Sequence, residues 1–325
     1  ALALHCKSPE KAPCHTCASC RKILHYDHPD FRIVFPFVSE ASFEDVAKEL
    51  GLRAKVEKER RERITLGDLY RQYYTESARA LVQSPFTRPA VAEALAGKNR
   101  EIFIANIRAL IGGDREDLKA TGFFEMPPSE SSCKTVIILE AELMNSSTSN
   151  CLLKTLEEPP SYVRLLLVSS QPNRLLPTVR SRCQRMAFGP LEETEVKDFL
   201  TGRMKVGARE AAEAARLSMG SVQAALDFAD PDNAELLEEA RKLAGWLTER
   251  NTKAGLALAA DFAEGNFNVS QRRLLFAAAY LRANSKNAPG YPNAIRKLSA
   301  LHDALGHKAN SRLAHSAFML SFHCL

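Results

Sequence analysis

The sequence lacks a membrane-spanning run, the pattern of a signal peptide and a dense basic block of the kind that binds nucleic acid. No apolar run approaches the roughly 20 residues that span a bilayer. No basic segment precedes the short apolar run at the start, so we do not expect a signal peptide. Lysine and arginine form no dense block, and the net charge of +5 permits contact with nucleic acid without indicating it.

The composition is that of an ordinary globular protein. Of the 325 residues, 45% are hydrophobic and 26% are charged, which fits two or three domains. We therefore expect a cytoplasmic protein with no membrane partner. Residue 1 is Ala, and the first residues resemble the middle of a helix, so we also expect a segment upstream of them.

Cysteine is unevenly distributed. Four of the eight cysteines crowd into the first 20 residues, and the others are scattered in apolar surroundings. This distribution suits a metal site in a reducing compartment better than a disulfide framework. Four thiolates on one short loop favour a structural zinc ion with a closed tetrahedral shell of sulfur. The predicted ligands are Cys6, Cys14, Cys17 and Cys20.

Alternatives stay open for this cluster. The Cys-x2-Cys-x2-Cys spacing also begins runs that hold iron–sulfur clusters, although Leu24 stands where a fourth cysteine would follow. Another alternative is that the four thiols are free and buried and bind no metal. His5 or His15 could also replace one cysteine as a ligand. The nearby His25 and His28 are better explained as parts of a polar loop before a strand.

The segment from Lys134 to Cys183 carries the clearest structural pattern. Apolar runs at 136–139 and 163–168 predict two buried strands, and the helix-like stretch between them stops at Pro159. Two such strands joined by a helix predict a βαβ unit in a parallel sheet covered on both faces. Ligands of these sheets bind beyond the carboxyl ends of the strands. The polar residues at those ends are Glu140, Ser169, Ser170 and Asn173.

Other elements follow from the same kind of pattern. We predict short strands from Phe31 to Phe35 and from Gln184 to Phe188, and a helix from Glu101 to Ile111. After residue 190 we predict only helices, at 192–199, 208–217 and 221–228 and in a bundle beyond 231.

The stretch from about 40 to 98 is charged and helical. Its tyrosines lie among arginines, an arrangement that can stack on bases. At helical spacing the same tyrosines are at least as well explained as packing residues. They are Tyr70, Tyr73 and Tyr74.

Several motifs occur together and in one order. LLKTLEEPP at 152–160 and SRC at 181–183 follow the cysteine cluster and precede Gly220-Ser221. In this combination the chain resembles the AAA+ clamp-loader subunits of bacterial DNA polymerase III, most closely the delta-prime branch of that family. The resemblance covers most of the chain except about 40–98, which looks like an insertion.

The resemblance implies an architecture of α/β plus all-α class. Residues 1–189 would form an AAA+ domain with a P-loop-NTPase-like parallel sheet, a zinc knuckle at 5–30 and the insertion at about 40–98. Residues 190–230 would form a helical lid, and 231–325 a helical collar that holds the subunits together. The N-terminal strand and P-loop of the family would lie upstream of residue 1.

The chain departs from the family at positions that handle ATP. The family's Walker B strand ends in Asp-Glu, whereas this chain has Leu139 and Glu140, and leucine cannot coordinate Mg²⁺. The sensor 2 arginine is replaced by Gln223. Glu140 and Ser170 therefore occupy degenerate Walker B and sensor 1 positions, and the resemblance implies no ATP hydrolysis by this chain.

One functional element of the family is retained. In the family the arginine of SRC reaches across the subunit interface to the γ-phosphate of ATP held by the neighbour. Here that residue is Arg182, and a guanidinium is always charged and can bind phosphate oxygens in pairs. Without the resemblance, Arg182 would be read as an ordinary ion pair. Arg180 is the neighbouring alternative for the same role.

The resemblance thus implies a delta-prime-type subunit that does not hydrolyse ATP. ATP would be held by a neighbouring subunit, and gamma/tau-type and delta-type subunits, the sliding clamp and primer-template DNA would be the partners. Two alternatives remain. The chain could be an active ATPase subunit of the same loader, of gamma/tau type, or a zinc-stabilised scaffold unrelated to clamp loading.

Overall fold

The computed structural model describes residues 1–38, 66–83, 101–111, 122–249 and 267–285, together with a few positions near 43–48 and 295–300. Contacts within the chain divide it into two compact units, Ala1–Ala187 and Phe188–Leu325. The helices of the first unit are α1 (Leu2–His5), α2 (Ala18–Leu24), α3 (Leu66–Gln83), α4 (Ile104–Ile111), α5 (Ser146–Glu157) and α6 (Pro177–Arg180).

The first unit is built on a small parallel sheet. Its strands are β1 (Phe31–Val34), β2 (Lys134–Ile138) and β3 (Val163–Leu167), in the order β1-β2-β3. Val136 of the central strand aligns with Arg32 on one side and Leu165 on the other. The predicted βαβ unit is confirmed, because α5 connects the parallel strands β2 and β3.

Local sequence explains where α5 begins and ends. The side chain of Asn145 accepts a hydrogen bond from the backbone N–H of Thr148 at 2.9 Å and so caps the first turn. Leu152 is fully buried and anchors the helix to the core. The helix ends at Glu157, because the prolines at 159 and 160 cannot continue it.

Helix α3 contributes aromatic side chains to the core beside β1. Tyr74 stacks on Phe35 with ring centroids 4.5 Å apart, and Tyr70 meets Phe37 edge to face at 5.3 Å. Tyr73 packs against the same cluster. The packing interpretation of these tyrosines is therefore confirmed. Most of the rest of the 40–98 stretch lies outside the described residues.

A buried carboxylate fixes the chain at the start of β1. Asp30 is completely buried, and its oxygens accept hydrogen bonds from the backbone N–H groups of Ser129, Glu130 and Ser131 at 2.7–2.9 Å. Burial alone would raise the pKa of Asp30, but these three hydrogen bonds lower it overall. His28 accepts the N–H of Asp30 through Nδ1 at 3.1 Å, which puts the proton of the neutral ring on Nε2.

The second unit is helical over the residues that the structure describes. Its helices are α7 (Glu193–Gly202), α8 (Ala208–Ser218), α9 (Val222–Ala229), α10 (Ala234–Glu249) and α11 (Phe267–Ser285). The three short helices predicted after residue 190 are confirmed, and α10 and α11 lie in the region predicted as a helical bundle beyond 231, of which residues 250–266 lie outside the described residues. The separation of a lid at 190–230 from a collar at 231–325 stays a prediction. No described helix is both long and apolar enough to cross a membrane.

Small residues let the helices of the second unit approach closely. Ala211, Ala214 and Ala215 of α8 are buried against Val196 and Leu200 of α7. Gly220 follows α8 with φ of +82°, a left-handed conformation that glycine adopts without strain. A Cβ atom at Gly220 would lie only 2.4 Å from the carbonyl oxygen of Leu191, so the close approach also requires glycine.

Two sequence predictions in the first unit are wrong in detail. Gln184 to Phe188 forms no strand, and Met186 and Phe188 are 74% and 87% exposed. An apolar run becomes a strand only when its backbone pairs with another strand, and this run pairs with none of the three described strands. The helix predicted from Glu101 begins at Ile104 instead, because Glu101 and Ile102 form β-bridges with Phe37 and Met144.

Replacement of Asp30 by Asn should destabilise the fold. An amide would present one oxygen and an NH2 group to the three N–H donors, so we expect the free energy of unfolding at pH 7 to fall by about 2 to 4 kcal/mol. Urea denaturation measures the change. Asp27→Asn is the control, because Asp27 is exposed and pairs only at the surface with Arg79.

The pH dependence of stability provides the second check on Asp30. Because its pKa is lower when folded, its contribution should be full above the ordinary value of about 3.9 and disappear as the pH falls through the folded value. Wild type should therefore lose stability in that acid range more steeply than Asp30→Asn. Equal stability of the two proteins at pH 7 would contradict the role assigned to this carboxylate.

Candidate functional site

The structure brings the four predicted cysteine ligands together. The sulfur atoms of Cys6, Cys14, Cys17 and Cys20 all lie within 4.8 Å of one another. Tetrahedral zinc, with Zn–S distances of about 2.3 Å, places its sulfur ligands about 3.8 Å apart, a separation that lies within this limit. The chemistry of the donor set fits, since four thiols with no open position are typical of structural zinc. The arrangement could hold a metal ion.

Backbone N–H groups point at these sulfur atoms. The N–H of Cys17 lies 3.3 Å from the sulfur of Cys14, and the N–H of Cys20 lies 3.4 Å from the sulfur of Cys17. The N–H of Ser8 approaches Cys6 in the same way at 3.4 Å. Such donors stabilise thiolates. The pKa of Cys14 is lowered by the Thr16 hydroxyl and then by backbone N–H groups, whereas burial raises the pKa of Cys20.

Histidine attaches this lobe to the sheet. His5 is buried, with Nδ1 2.7 Å from the hydroxyl of Ser131 and Nε2 2.9 Å from the hydroxyl of Thr135 on β2. Both ring nitrogens are therefore engaged away from the sulfur cluster. His28 lies beside them, 4.9 Å from His5 between ring centroids, and its Nε2 is 2.9 Å from the hydroxyl of Ser19. The histidines thus join α1, α2 and the sheet.

The polar residues predicted at the sheet edge are only partly brought together. Glu140 is exposed just after β2, with a left-handed φ of +47°. Ser170, after β3, donates to the carboxylate of Glu142 through its hydroxyl at 2.8 Å and its N–H at 3.3 Å. Burial alone would raise the pKa of Glu142, but hydrogen bonds from the Ser169 and Ser170 side chains help to lower it overall. Leu139 packs into the apolar cluster beside β1.

Arg182 lies in the turn that follows α6, and its guanidinium contacts α5. Its Nε donates to Glu157 Oε1 at 2.7 Å, and its Nη2 forms an ion pair with the same oxygen. Its Nη1 donates to the carbonyl oxygen of Thr178 at 2.9 Å. The side chain is 32% exposed, so solvent reaches the group. The ordinary ion pair that the bare sequence suggests is therefore present.

Arg180 faces a different partner. It donates to the side-chain oxygen of Asn173 at 3.0 Å, which joins α6 to the turn after β3. Both residues are exposed there. Arg180 and Arg182 are thus held separately, by Asn173 and Glu157 respectively.

Sequence reasoning missed the residues that hold the predicted ones. The sequence indicates no partner for Glu157 or Glu142, and it indicates His5 only as a possible metal ligand. Each contact joins residues 25 or more positions apart. The only available signal was that Glu157 and Arg182 belong to LLKTLEEPP and SRC, two motifs that occur together in the sequence.

Comparisons with known proteins converge on one class, the subunits of DNA polymerase III. A family profile described as DNA polymerase III, delta subunit matches residues 93–192, which include β2, α5, β3 and SRC. Subunit tau of DNA polymerase III from Bacillus subtilis is 32% identical over 119 residues, 36% of this chain and 20% of that relative.

Within this class the delta-prime subunits give strong matches. Subunit delta′ of Escherichia coli is 38% identical over 100 residues, 31% of this chain and 30% of the relative. Subunit delta′ of Bacillus subtilis is 40% identical over 96 residues, 30% and 26% of the two chains. The resemblance predicted from the sequence is confirmed over this segment, and the matches span less than a third of these relatives.

One solved structure is also similar. It is a DNA polymerase III gamma subunit-related protein from Thermotoga maritima, with a TM-score of 0.41 and 18% sequence identity. The match covers 77% of this chain and 89% of that one.

Proposed function

We propose that this chain belongs to a delta-prime-type subunit of the bacterial DNA polymerase III clamp loader, an AAA+ subunit that does not hydrolyse ATP itself. It supplies Arg182 to ATP held by a neighbouring gamma/tau-type subunit. The observation that carries the proposal is the solvent-accessible guanidinium of Arg182, held at the end of a segment similar to delta-prime subunits.

Two features support the absence of hydrolysis by this chain. Leu139 stands where a carboxylate would anchor Mg²⁺, and its side chain packs into an apolar cluster. The hydroxyl of Ser170, at the sensor 1 position, is already bonded to Glu142 of the same chain. Neither position offers a group that could hold a metal or report on a phosphate.

Arg182 has the chemistry that phosphoryl transfer in a neighbour requires. Negative charge spreads over the phosphate oxygens in the transition state, and a fixed guanidinium stabilises it without taking up or releasing a proton. The ion pair with Glu157 lies at the surface, with the Arg182 and Glu157 side chains 32% and 50% exposed, so a phosphate can reach the guanidinium. The chain acts on ATP that it does not bind.

The cysteine lobe has a structural role in this proposal. Cys6, Cys14, Cys17 and Cys20 hold zinc, which crosslinks a short loop too small to have its own core. Through His5 and Ser131 the lobe then fixes the segment before β2. The protein works in the cytoplasm with delta-type and gamma/tau-type subunits. Together they load the sliding clamp on primed DNA, with a lid at 190–230 and a collar at 231–325.

Arg182→Ala should slow ATP hydrolysis by the assembled loader. We expect a loss on the order of 10³-fold in the turnover of the neighbouring site, because the transition-state charge loses its partner. The measurement is steady-state hydrolysis by the full-length protein reconstituted with gamma/tau-type and delta-type subunits of the same bacterium. Arg185→Ala is the matched control, since Arg185 is exposed three positions away.

The outcomes separate the alternatives. An unchanged rate with Arg182→Ala would contradict the proposal and favour a scaffold unrelated to clamp loading. A loss with Arg180→Ala instead would move the role to Arg180.

Purified protein should contain about one zinc ion per chain and be colourless. Cys17→Ser should lose the metal, because three sulfur ligands no longer close the tetrahedron. Elemental analysis and visible absorption measure both properties. Cys151→Ser, a half-buried cysteine on α5, should keep the zinc. Iron with brown colour, or no metal in wild type, would refute this part of the proposal.

A further inference from the structure

The contacts of Arg182 leave one edge of its guanidinium available. Of the five N–H donors of the group, Nε–H donates to Glu157 Oε1 and one N–H of Nη1 donates to the carbonyl oxygen of Thr178, while Nη2 forms an ion pair with Glu157. One donor on each terminal nitrogen therefore has no protein partner among the described residues. Two such donors suit a pair of phosphate oxygens.

The elements that carry the two side chains are both anchored in the core. Leu152 of α5 and Val179 of α6 are completely buried. Glu157 occupies the last position of α5, and Arg182 follows α6 by two residues. The elements that carry the two residues are therefore anchored, and the contact between the two side chains orients them.

We infer that Glu157 is the positioning residue for Arg182. Its carboxylate directs the free edge of the guanidinium towards the phosphate of the neighbour's ATP. This inference rests on the proposed function of Arg182. A free arginine side chain samples many rotamers, and each catalytic encounter would have to select one of them. The carboxylate holds the inner edge of the guanidinium and so selects the orientation in advance, before the neighbouring subunit arrives.

The role differs from simple structural support. An exposed pair of this kind adds little to folding stability, so its loss should leave the fold intact. Glu157 does not touch the phosphate, so its loss should change the rate of hydrolysis rather than the binding of ATP.

The test uses the reconstituted loader with full-length protein carrying Glu157→Ala. We expect kcat to fall about tenfold, within the hundredfold that a small misplacement can produce, and KM for ATP to change less than about twofold. Glu157→Gln, which keeps an accepting oxygen, should recover part of the rate. Glu158→Ala is the matched control, because it removes the adjacent exposed carboxylate. Thermal unfolding and co-elution with the partner subunits should match wild type for every variant.

A double-mutant cycle isolates the dependence on Arg182. In an Arg182→Ala background, Glu157→Ala should cause no further loss, because the group that it orients is gone. An equal loss in both backgrounds, a normal or increased rate with Glu157→Ala alone, or a failure of that variant to co-elute would overturn the inference. An Arg182→Ala loader with wild-type rate would contradict the proposed function itself, so the two failures are distinguishable.

Discussion

The pairing of β2 with a parallel strand on each side is the constraint on which the first unit depends. A central strand buried on both faces must have its backbone groups paired along its whole length, and this fixes the register of β1 and β3. The same register places Glu140 and Ser170 at one edge of the sheet. At the other edge, Asp30 holds the segment that leads into β2. The polar sites therefore follow from the burial of an apolar strand.

The sheet edge at Glu140 and Ser170 and the turn that carries Arg182 differ in what their side chains contact. At the sheet edge where an active ATPase would bind nucleotide, the partly buried Leu139 packs against the apolar cluster beside β1, and Ser170 donates to Glu142. Some forty residues later, Arg182 is held by an acidic residue and still keeps donors for an outside ligand. In the function that we propose, this arrangement presents positive charge to another subunit.

Sequence patterns predicted the elements that depend on local preference. The apolar runs at 136–139 and 163–168 predicted β2 and β3, although β2 begins at Lys134 and ends at Ile138, and β3 ends at Leu167. The prolines after Glu157 predicted the end of α5, because burial and backbone geometry act within a few residues. The strand predicted at 184–188 does not form, because an apolar run cannot show whether its backbone will pair with another strand. The spacing of the cysteines predicted their meeting, whereas the contact of His5 with Ser131, 126 positions away, depends on the whole fold. Glu157 and Arg182 were each noticed but never paired, for the same reason.

The most direct test of the account is ATP turnover by the isolated full-length protein. We expect no turnover above background, because Leu139 stands where a carboxylate would bind the metal ion. We also expect the same protein to raise turnover when a gamma/tau-type subunit is added. Sustained hydrolysis by the isolated protein, abolished by substitution of Glu140, would contradict the account and identify an active ATPase subunit.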